Sequence, residues 1–252
     1  MAVEDMQTDT STKNDTCVLG LTTVASPGGT VLWSPERGVW GQCLVDRGPR
    51  PSQVLLSQVS SMLTESQLEC SELGGIAVCI GPGSFTGIRV GMAVARGLAY
   101  GHALPIVGID TFDAAIAQAD DAGLTDSWRL VALDARRGEV YLQWFAPGAS
   151  QPEGPATTEK PDKVPGAVQE RLKSGTVTII GDAVGLYGDS WAVAGGEISD
   201  CANSVDPVTI ARIGWSRIAA QKLDHENLKR VLPSYIRRTD RDLGFDQAKK
   251  KG

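Results

Sequence analysis

The chain has 252 residues, of which 42% are hydrophobic and 21% are charged, and this composition excludes a wholly disordered protein. Its net charge of −6 gives it no general attraction to nucleic-acid phosphates. No apolar run approaches the ~18 residues of a membrane span, and the polar first residues lack the apolar core of a secretory signal. We therefore expect a cytoplasmic protein that does not enter a membrane.

Cysteine and histidine limit the chemistry that the chain can perform. The five cysteines include no CxxC pair, which indicates reduced thiols and not a disulfide framework. The two histidines, His102 and His225, are too few for a site that needs several imidazoles. We therefore assign no catalytic, cofactor-binding or metal-binding residue.

The first half of the chain predicts a three-stranded meander followed by alternating strands and helices. Residues 1–16 are typical of a disordered leader. The order strand–helix–strand–helix after residue 75 predicts a βαβ unit with parallel strands. The predicted elements are strands at 17–25, 30–34 and 39–45, a helix at 52–66, a strand at 75–80, a helix at 84–100, a strand at 105–109 and a helix at Thr111–Asp121.

The helix predicted over 52–66 has two contrasting faces. Its apolar residues, among them Leu55, Val59 and Met62, recur at the spacing of one helix face. Its other face is polar but almost uncharged, whereas a helix face that only meets water usually carries more charge. That polar face is open to two interpretations, contact with a partner and plain exposure to solvent.

The second half repeats the coarse plan of the first, although no repeat is visible residue by residue. It begins with an antiparallel pair of strands whose hairpin tip lies at Arg136-Arg137-Gly138. The predicted elements are strands at 129–134 and Glu139–Phe145, a long surface loop at 146–166, the end of a helix at 168–173, a strand at 176–181, a helix at 207–222 and an extended segment at 229–238.

This order of elements predicts an α/β protein with two lobes. We expect a first lobe over 17–110 and a second lobe over 111–238, with helix 207–222 able to pack back on the first lobe. A basic tail follows over 239–252. The basic residues at this end of the chain are Arg237, Arg238, Arg241, Lys249, Lys250 and Lys251.

A glycine-rich loop joins the predicted strand at 75–80 to the helix that follows. Its residues are Gly81, Pro82, Gly83, Ser84, Phe85, Thr86 and Gly87. Main-chain N–H groups at such a turn can cradle an anion. The loop is not a P-loop, because Ile88 follows the last glycine where GxxxxGK[ST] has lysine, and it does not match GxGxxG. Its interpretation as a phosphate loop therefore depends on geometry alone.

Small residues recur along the helix after this loop. Gly87, Gly91, Ala95 and Ala99 fall four residues apart and form one smooth ridge. A glycine inside a helix costs roughly 1 kcal/mol relative to alanine, and close approach of another backbone would offset that cost. The neighbour can be this chain's own sheet or helix, or a second subunit.

Three segments of the chain resemble the signatures of one bacterial family. They are GPGSFTGIRVGMAVARGLA at 81–99 with the strand after it, DARRGEVY at 134–141 and LPSYIR at 232–237. In this order they are similar to the TsaB (YeaZ) family, whose members are needed to make N6-threonylcarbamoyladenosine at position 37 of tRNA. The resemblance extends over most of the chain, from about residue 17 to residue 238.

The resemblance implies both a fold and a role. The fold would be the two-lobed α/β fold of actin, Hsp70 and sugar kinases. The protein would be a non-catalytic paralogue of TsaD that pairs with TsaD through first-lobe helices, or with itself when TsaD is absent. The ATPase TsaE would join the complex, which would use ATP and meet tRNA, while this chain alone would hold no cofactor. The residues predicted to form the interface are Leu55, Val59, Met62, Gly87, Gly91 and Ala95.

The chain departs from its apparent relatives where they bind metal and phosphate. Thr22 replaces the aspartate that usually follows the first strand, and Pro51-Ser-Gln53 replaces a His-Ser-Glu-like triplet. Thr111 and Ala115 lie where the resemblance places the two metal-binding histidines of TsaD. These departures favour a scaffold that does not catalyse a reaction alone.

Two other functions stay open. One is a nucleotide-dependent phosphotransferase or hydrolase of the actin-like fold, for which Gly181-Asp-Ala-Val-Gly185 is the candidate second phosphate loop. The other is direct contact of the basic tail with tRNA, which would show a steep dependence on salt.

Overall fold

The structure, a computed structural model, describes residues 16–45 and 51–236, without the side chains of residues 51–53. Most of the predicted leader and the whole basic tail lie outside the described residues and stay predictions. Within the described ranges, no helix combines the length and the apolar character needed to cross a bilayer.

Strands and helices alternate in both halves of the chain. The elements of the first half are β1 (Val18–Thr22), β2 (Gly28–Ser34), β3 (Gly38–Val45), α1 (Pro51–Glu65), β4 (Gly75–Gly81), α2 (Phe85–Gly101), β5 (Ile106–Asp110) and α3 (Thr111–Asp121). Those of the second half are β6 (Trp128–Arg136), β7 (Glu139–Phe145), β8 (Thr157–Glu159), α4 (Val164–Leu172), β9 (Val177–Ile180), α5 (Val184–Ala192), β10 (Glu197–Ile198) and α6 (Pro207–Gln221).

β1 is the central strand of a five-stranded sheet with the order β3-β2-β1-β4-β5. All five of its residues are buried, as expected for a strand that is covered on both faces. It pairs antiparallel with β2 and parallel with β4, which in turn pairs parallel with β5. The meander and the βαβ unit predicted from the sequence are therefore confirmed.

The second sheet has the order β10-β9-β6-β7-β8, with β6 at its centre. β6 pairs antiparallel with β7 and parallel with β9, so the two sheets share one strand order when each is counted from its central strand. The predicted two-lobed α/β fold, with one plan in both halves, is confirmed.

Helices cover both faces of the first sheet, with α1 and α2 on one face and α6 on the other. α6 lies close to the sheet because glycines occupy the crossing points. A methyl group on Gly20 would lie 2.6 Å from the carbonyl oxygen of Pro207, and one on Gly214 would overlap Cβ of Ala77. The helix predicted at 207–222 therefore packs back on the first lobe, the arrangement that the sequence analysis allowed.

α3 connects the two lobes. Phe112 and Ile116 pack with the second-lobe core, whereas Ala114 packs with the first. The side chain of Gln118 donates to the carbonyl oxygens of Cys201 and Ser204 and accepts from the backbone N–H of Asp206, each at 3.0 Å. These contacts fix the segment that leads into α6.

Two second-lobe elements, α5 and β10, were not predicted, and the predicted loop at 146–166 contains the short strand β8. The sequence of α5, VGLYGDSWA, holds two glycines and has little intrinsic preference for a helix. Trp191 in this helix is fully buried and donates its indole N–H to the carbonyl oxygen of Pro161 at 3.0 Å. Tertiary packing therefore stabilises a helix that local preference does not favour.

Candidate functional site

The glycine-rich loop of residues 81–87 packs against the turn after β1. Ser84 caps α2, since its hydroxyl accepts from the backbone N–H of Gly87 at 3.2 Å, and its own N–H donates to the carbonyl oxygen of Val24 at 2.8 Å. Gly83 has a φ of +155°, and a methyl group there would lie 2.8 Å from the same carbonyl oxygen. Close packing within the first lobe thus accounts for this glycine, while Phe85 and Thr86 remain exposed.

The ridge formed by Gly87, Gly91 and Ala95 also faces the first lobe. A methyl group on Gly87 would overlap the carbonyl oxygen of Thr23, and one on Gly91 would overlap its hydroxyl. That hydroxyl donates to the carbonyl oxygen of Gly87 at 2.7 Å. The turn after β1 therefore packs against Gly87 and Gly91, and Ala95 is fully buried in the first-lobe core. The prediction that these three residues contact a partner is wrong.

The apolar face of α1 is buried in the same core. Leu55, Val59 and Met62 are each 1–2% exposed. Met62 packs over the first sheet, where its Sδ accepts from the hydroxyl of Thr30 at 3.7 Å. The prediction that these residues meet a partner is wrong for the same physical reason, because an amphipathic helix turns its apolar face to its own sheet.

The opposite faces of α1 and α2 are exposed, and the two helices lie side by side. Leu56 is 58% exposed and Tyr100 is 81% exposed, and the exposed positions one turn away include Ser60 and Gly97. We call this surface the outer helix face. It consists of Leu56, Ser57, Ser60, Ser61, Thr64, Ala93, Gly97 and Tyr100. In the sequence, the uncharged polar face of the helix predicted at 52–66 indicated the outer helix face.

The positions that match the metal-binding histidines of TsaD are buried and have other roles. Thr111 is 2% and Ala115 is 1% exposed, and the hydroxyl of Thr111 donates to the carbonyl oxygen of Pro82 at 2.7 Å. Asp113 is paired with Arg217 at 2.6 Å. Among the described residues, no group of three or more histidine, cysteine, aspartate or glutamate side chains is placed to hold a metal ion.

Asp110 lies at the end of β5, where it caps α3. Its Oδ1 accepts from the backbone N–H of Phe112 at 2.8 Å, and its Oδ2 accepts from the hydroxyl of Ser234 at 2.9 Å. Burial raises the pKa of Asp110 to about 6, although both hydrogen bonds oppose the shift. This carboxylate therefore links α3 to the C-terminal part of the chain.

The two segments of the alternative phosphate site meet across a nearly closed gap. Val24 and Ala25, after β1, and Asp182, after β9, line a space of only about 10 Å³. Such a space has room for about one water molecule. Gly181 is required by packing alone, since its φ is +109° and a methyl group there would overlap the carbonyl oxygen of Ala132. This gap does not admit a nucleotide.

A larger cleft of about 380 Å³ shares Pro82 and Gly83 with that gap and opens between the lobes. Phe85 and Thr86 at the start of α2 line its first-lobe side, and Arg136 and Arg137 of the β6–β7 hairpin line the second-lobe side. Residues 234–236 form a third wall. Sequence analysis did not identify this cleft, because its walls come from three distant parts of the chain.

The third wall belongs to a segment that returns to the first lobe, residues 231–236, which we call the C-terminal strap. The backbone N–H of Ser234 donates to the carbonyl oxygen of Ile80 at 2.9 Å. The Tyr235 ring lies 5.4 Å from the Phe85 ring, and the guanidinium of Arg89 lies 3.9 Å from the Phe85 ring centre. The strap was predicted as second-lobe chain, and these contacts correct that prediction.

Comparisons with known proteins include similarity to tRNA-modification proteins. A family model described as "TsaD: tRNA N6-adenosine threonylcarbamoyltransferase" matches residues 50–152. The tRNA threonylcarbamoyladenosine biosynthesis protein TsaB of Escherichia coli (strain K12) is 39% identical over 97 residues, which are 36% of this chain and 38% of that protein. The protein of the same name from Haemophilus influenzae is 37% identical over 88 residues, 35% of this chain and 37% of its own length. The chain thus spans less than two fifths of the length of these two curated relatives.

Solved structures match over a longer range and support the fold. YeaZ from Pseudomonas aeruginosa has a TM-score of 0.66 at 20% identity, and the match covers 88% of this chain and all of that one. A protein described as similar to peptidase YEAZ, also from P. aeruginosa, has a TM-score of 0.72 at 22% identity over the same shares.

The two sheets with one strand order define a class, the two-lobed α/β proteins, and part of the first half is similar in sequence to TsaD. Over about a third of its length the chain is similar to curated TsaB proteins, and its fold is that of YeaZ.

Proposed function

We propose that the chain is an accessory subunit in the formation of N6-threonylcarbamoyladenosine in the tRNA of the cytoplasm. In this role it binds TsaD through the outer helix face and does not itself transfer the threonylcarbamoyl group. TsaE joins the assembly, and the complex uses ATP. This chain interacts with tRNA indirectly, as part of the complex.

The observation that carries this proposal is the environment of Gly97. This glycine lies in the interior of α2, is exposed, and has no atom within 4 Å of the position where a Cβ would lie. A helical glycine costs roughly 1 kcal/mol relative to alanine, and nothing in this chain's own packing requires it. A partner helix that approaches the backbone of α2 closely would account for it.

The composition of the outer helix face also suits a protein partner. Its exposed apolar residues are Leu56 and Tyr100, and the other residues assigned to it are serine, threonine, alanine and glycine. The centres of protein interfaces are depleted in charged residues and enriched in tyrosine, and this face shares those two features although it is rich in serine. The same surface would allow the chain to pair with a second copy when TsaD is absent.

The enzyme alternative has less support. A phosphotransferase of this fold would hold nucleotide phosphates between the turn after β1 and the segment Gly181–Gly185, and that gap measures about 10 Å³. Thr22, at the position of the usual aspartate, is 1% exposed and so is not presented to a ligand. We therefore expect the isolated chain not to hydrolyse ATP.

Co-purification with TsaD tests the docking surface. Gly97→Leu adds a large side chain to the outer helix face, where space in the isolated chain is open, and should abolish pairing while the chain stays folded. Gly185→Leu is the matched control, because Gly185 is also an exposed helical glycine with no atom within 4 Å of the position where a Cβ would lie, and it belongs to α5 of the second lobe. Retained pairing by Gly97→Leu would contradict the proposed surface.

Reconstitution with each protein omitted in turn tests the role. We expect tRNA modification to require this chain, TsaD and TsaE together, and the chain alone to release no phosphate from ATP. Modification at full rate without this chain, or ATP hydrolysis by the chain alone, would refute the accessory role.

A further inference from the structure

The three segments that carry the family resemblance, although far apart in sequence, line one cleft. Residues 82–86 come from the loop before α2, residues 135–137 from the β6–β7 hairpin, and residues 234–236 from the C-terminal strap. Together they enclose about 380 Å³, a volume within the range of small-molecule sites. The outer helix face is formed by other residues of α1 and α2, so pairing with TsaD does not account for the cleft.

The charges at the cleft favour an anion. The charged residues among its lining are Arg136 and Arg137, and both carry positive charge. Across from them α2 begins, and the positive end of its dipole lies beside the hydroxyls of Ser84 and Thr86. Positive charge therefore faces the cleft from both lobes.

The hairpin that carries the arginines has an unusual backbone. Arg136 and Arg137 have φ values of +61° and +57°, and Gly138 has +69°. Arg137 and Gly138 form a two-residue turn of the type that favours asparagine before glycine. An arginine in the left-handed region costs roughly 1–2 kcal/mol, and such strain is concentrated at functional sites.

A chain of hydrogen bonds fixes Arg136 in this position. Asp182 accepts from the backbone N–H of Asp134 at 2.7 Å. Asp134 accepts from the backbone N–H of Arg136 at 2.8 Å and pairs with its guanidinium at 2.9 Å. The guanidinium has five donors and the Arg136 side chain is 70% exposed, so donors remain for a ligand.

Aromatic side chains complete the walls. Phe85 and Tyr235 contribute rings from the first lobe and the strap, and Tyr141 contributes one from the second lobe. Tyr141 is 9% exposed, whereas Phe85 and Tyr235 are 44% and 39% exposed. Exposed rings can stack on a planar base, as they do in proteins that bind single-stranded nucleic acid. The cleft thus combines an anion-binding end with aromatic walls.

We propose that this cleft binds a phosphorylated nucleoside, with its phosphate between Arg136, Arg137 and the start of α2 and its base against the aromatic walls. The ligand is either a free mononucleotide or one nucleotide of an RNA strand. The site adjoins the nearly closed gap at Asp182, with which it shares Pro82 and Gly83, but does not include it, and the proposal does not depend on pairing with TsaD.

Isothermal titration calorimetry of the full chain, without TsaD, tests this site with adenosine 5′-monophosphate. Adenosine lacks the phosphate and inorganic phosphate lacks the base. We therefore expect each to bind about tenfold more weakly than adenosine 5′-monophosphate, or worse. Arg137→Asn removes the charge and introduces the residue that the turn prefers, so the fold should be retained. We expect it, and Arg136→Asn, to weaken binding about tenfold or more.

Arg37→Asn is the matched control, because Arg37 also precedes a glycine with positive φ at a hairpin tip and does not line the cleft. It should leave the affinity unchanged. A short single-stranded RNA distinguishes the two possible ligands, a free mononucleotide and one nucleotide of an RNA strand. If it binds with the same dependence on Arg137, the site is open to a strand, and if only the mononucleotide binds, the ligand is free. Binding of neither, or equal weakening by Arg37→Asn and Arg137→Asn, would overturn the proposal.

Discussion

Three glycines of α2 show how one residue type can meet different requirements. At Gly87 and Gly91 the turn after β1 leaves no space for a side chain, whereas Gly97 faces open solvent. The spacing of small residues correctly indicated that something approaches this helix closely. It could not indicate what approaches, because a periodic pattern locates a face and does not identify the neighbour.

Alanine substitutions at two of these glycines should therefore have opposite effects on stability. Gly87→Ala forces the Thr23 carbonyl to move and should cost about 2 kcal/mol or more, which lowers the melting temperature by about 4–8 °C. Gly97→Ala should stabilise the isolated chain by about 1 kcal/mol. Thermal unfolding of both variants checks this, and a loss of stability in Gly97→Ala would show that the chain itself needs this glycine.

Asp110 should make the stability of the chain depend on pH. Its pKa is about 6 in the folded chain and about 3.9 when unfolded, so between these values the folded state keeps a proton that the unfolded state has lost. Stability from this group is therefore full at low pH and is lost as the pH rises through about 6.

Asp110→Asn should remove this dependence, because an amide can accept from Phe112 and donate to Ser234. We expect the variant to be more stable than the parent chain at pH 7.5, by on the order of 2 kcal/mol, with the difference shrinking towards pH 4. Urea unfolding of both chains at the two pH values measures it. A variant that is less stable at pH 7.5 would show that the charged form is favoured.

At the level of elements, hydrophobic periodicity predicted the bounds of most helices well. It predicted less well which surface their apolar faces contact. The helix predicted at 52–66 is observed one residue earlier at each end, and α3 has the predicted bounds. The apolar face of α1 was correctly identified but assigned to a partner, although the nearest apolar surface is the chain's own sheet. α5 was missed because its stability comes from the buried Trp191 and not from local preference.

The outer helix face should lose affinity for TsaD when its exposed apolar side chains are truncated. Leu56→Ala and Tyr100→Ala should each weaken pairing about tenfold, as expected for residues near the centre of an interface, with stability changed by less than about 0.5 kcal/mol. Val193→Ala is the control, since Val193 is 86% exposed in the second lobe. Surface plasmon resonance against TsaD measures the affinities, and equal effects of all three substitutions would argue against this face.

At the level of the whole molecule, the chain returns twice to its first lobe, through α6 and through the C-terminal strap. The sequence predicted two lobes from the repeated order of elements, but that order does not determine in which layer a late helix packs. The inter-lobe cleft was unpredictable for a related reason. Its walls lie about 50 and 100 residues apart in sequence and meet only in the folded chain.

Hydrogen–deuterium exchange of the chain, with and without TsaD, most directly tests the claim that α1 and α2 form the docking surface. It reports on the protection of backbone amides in all the elements at once. We expect slower exchange on binding in α1 and α2, strongest around residues 56–64 and 93–100, with α5 unchanged. Protection confined to the second lobe, with α1 and α2 exchanging as in the free chain, would contradict it.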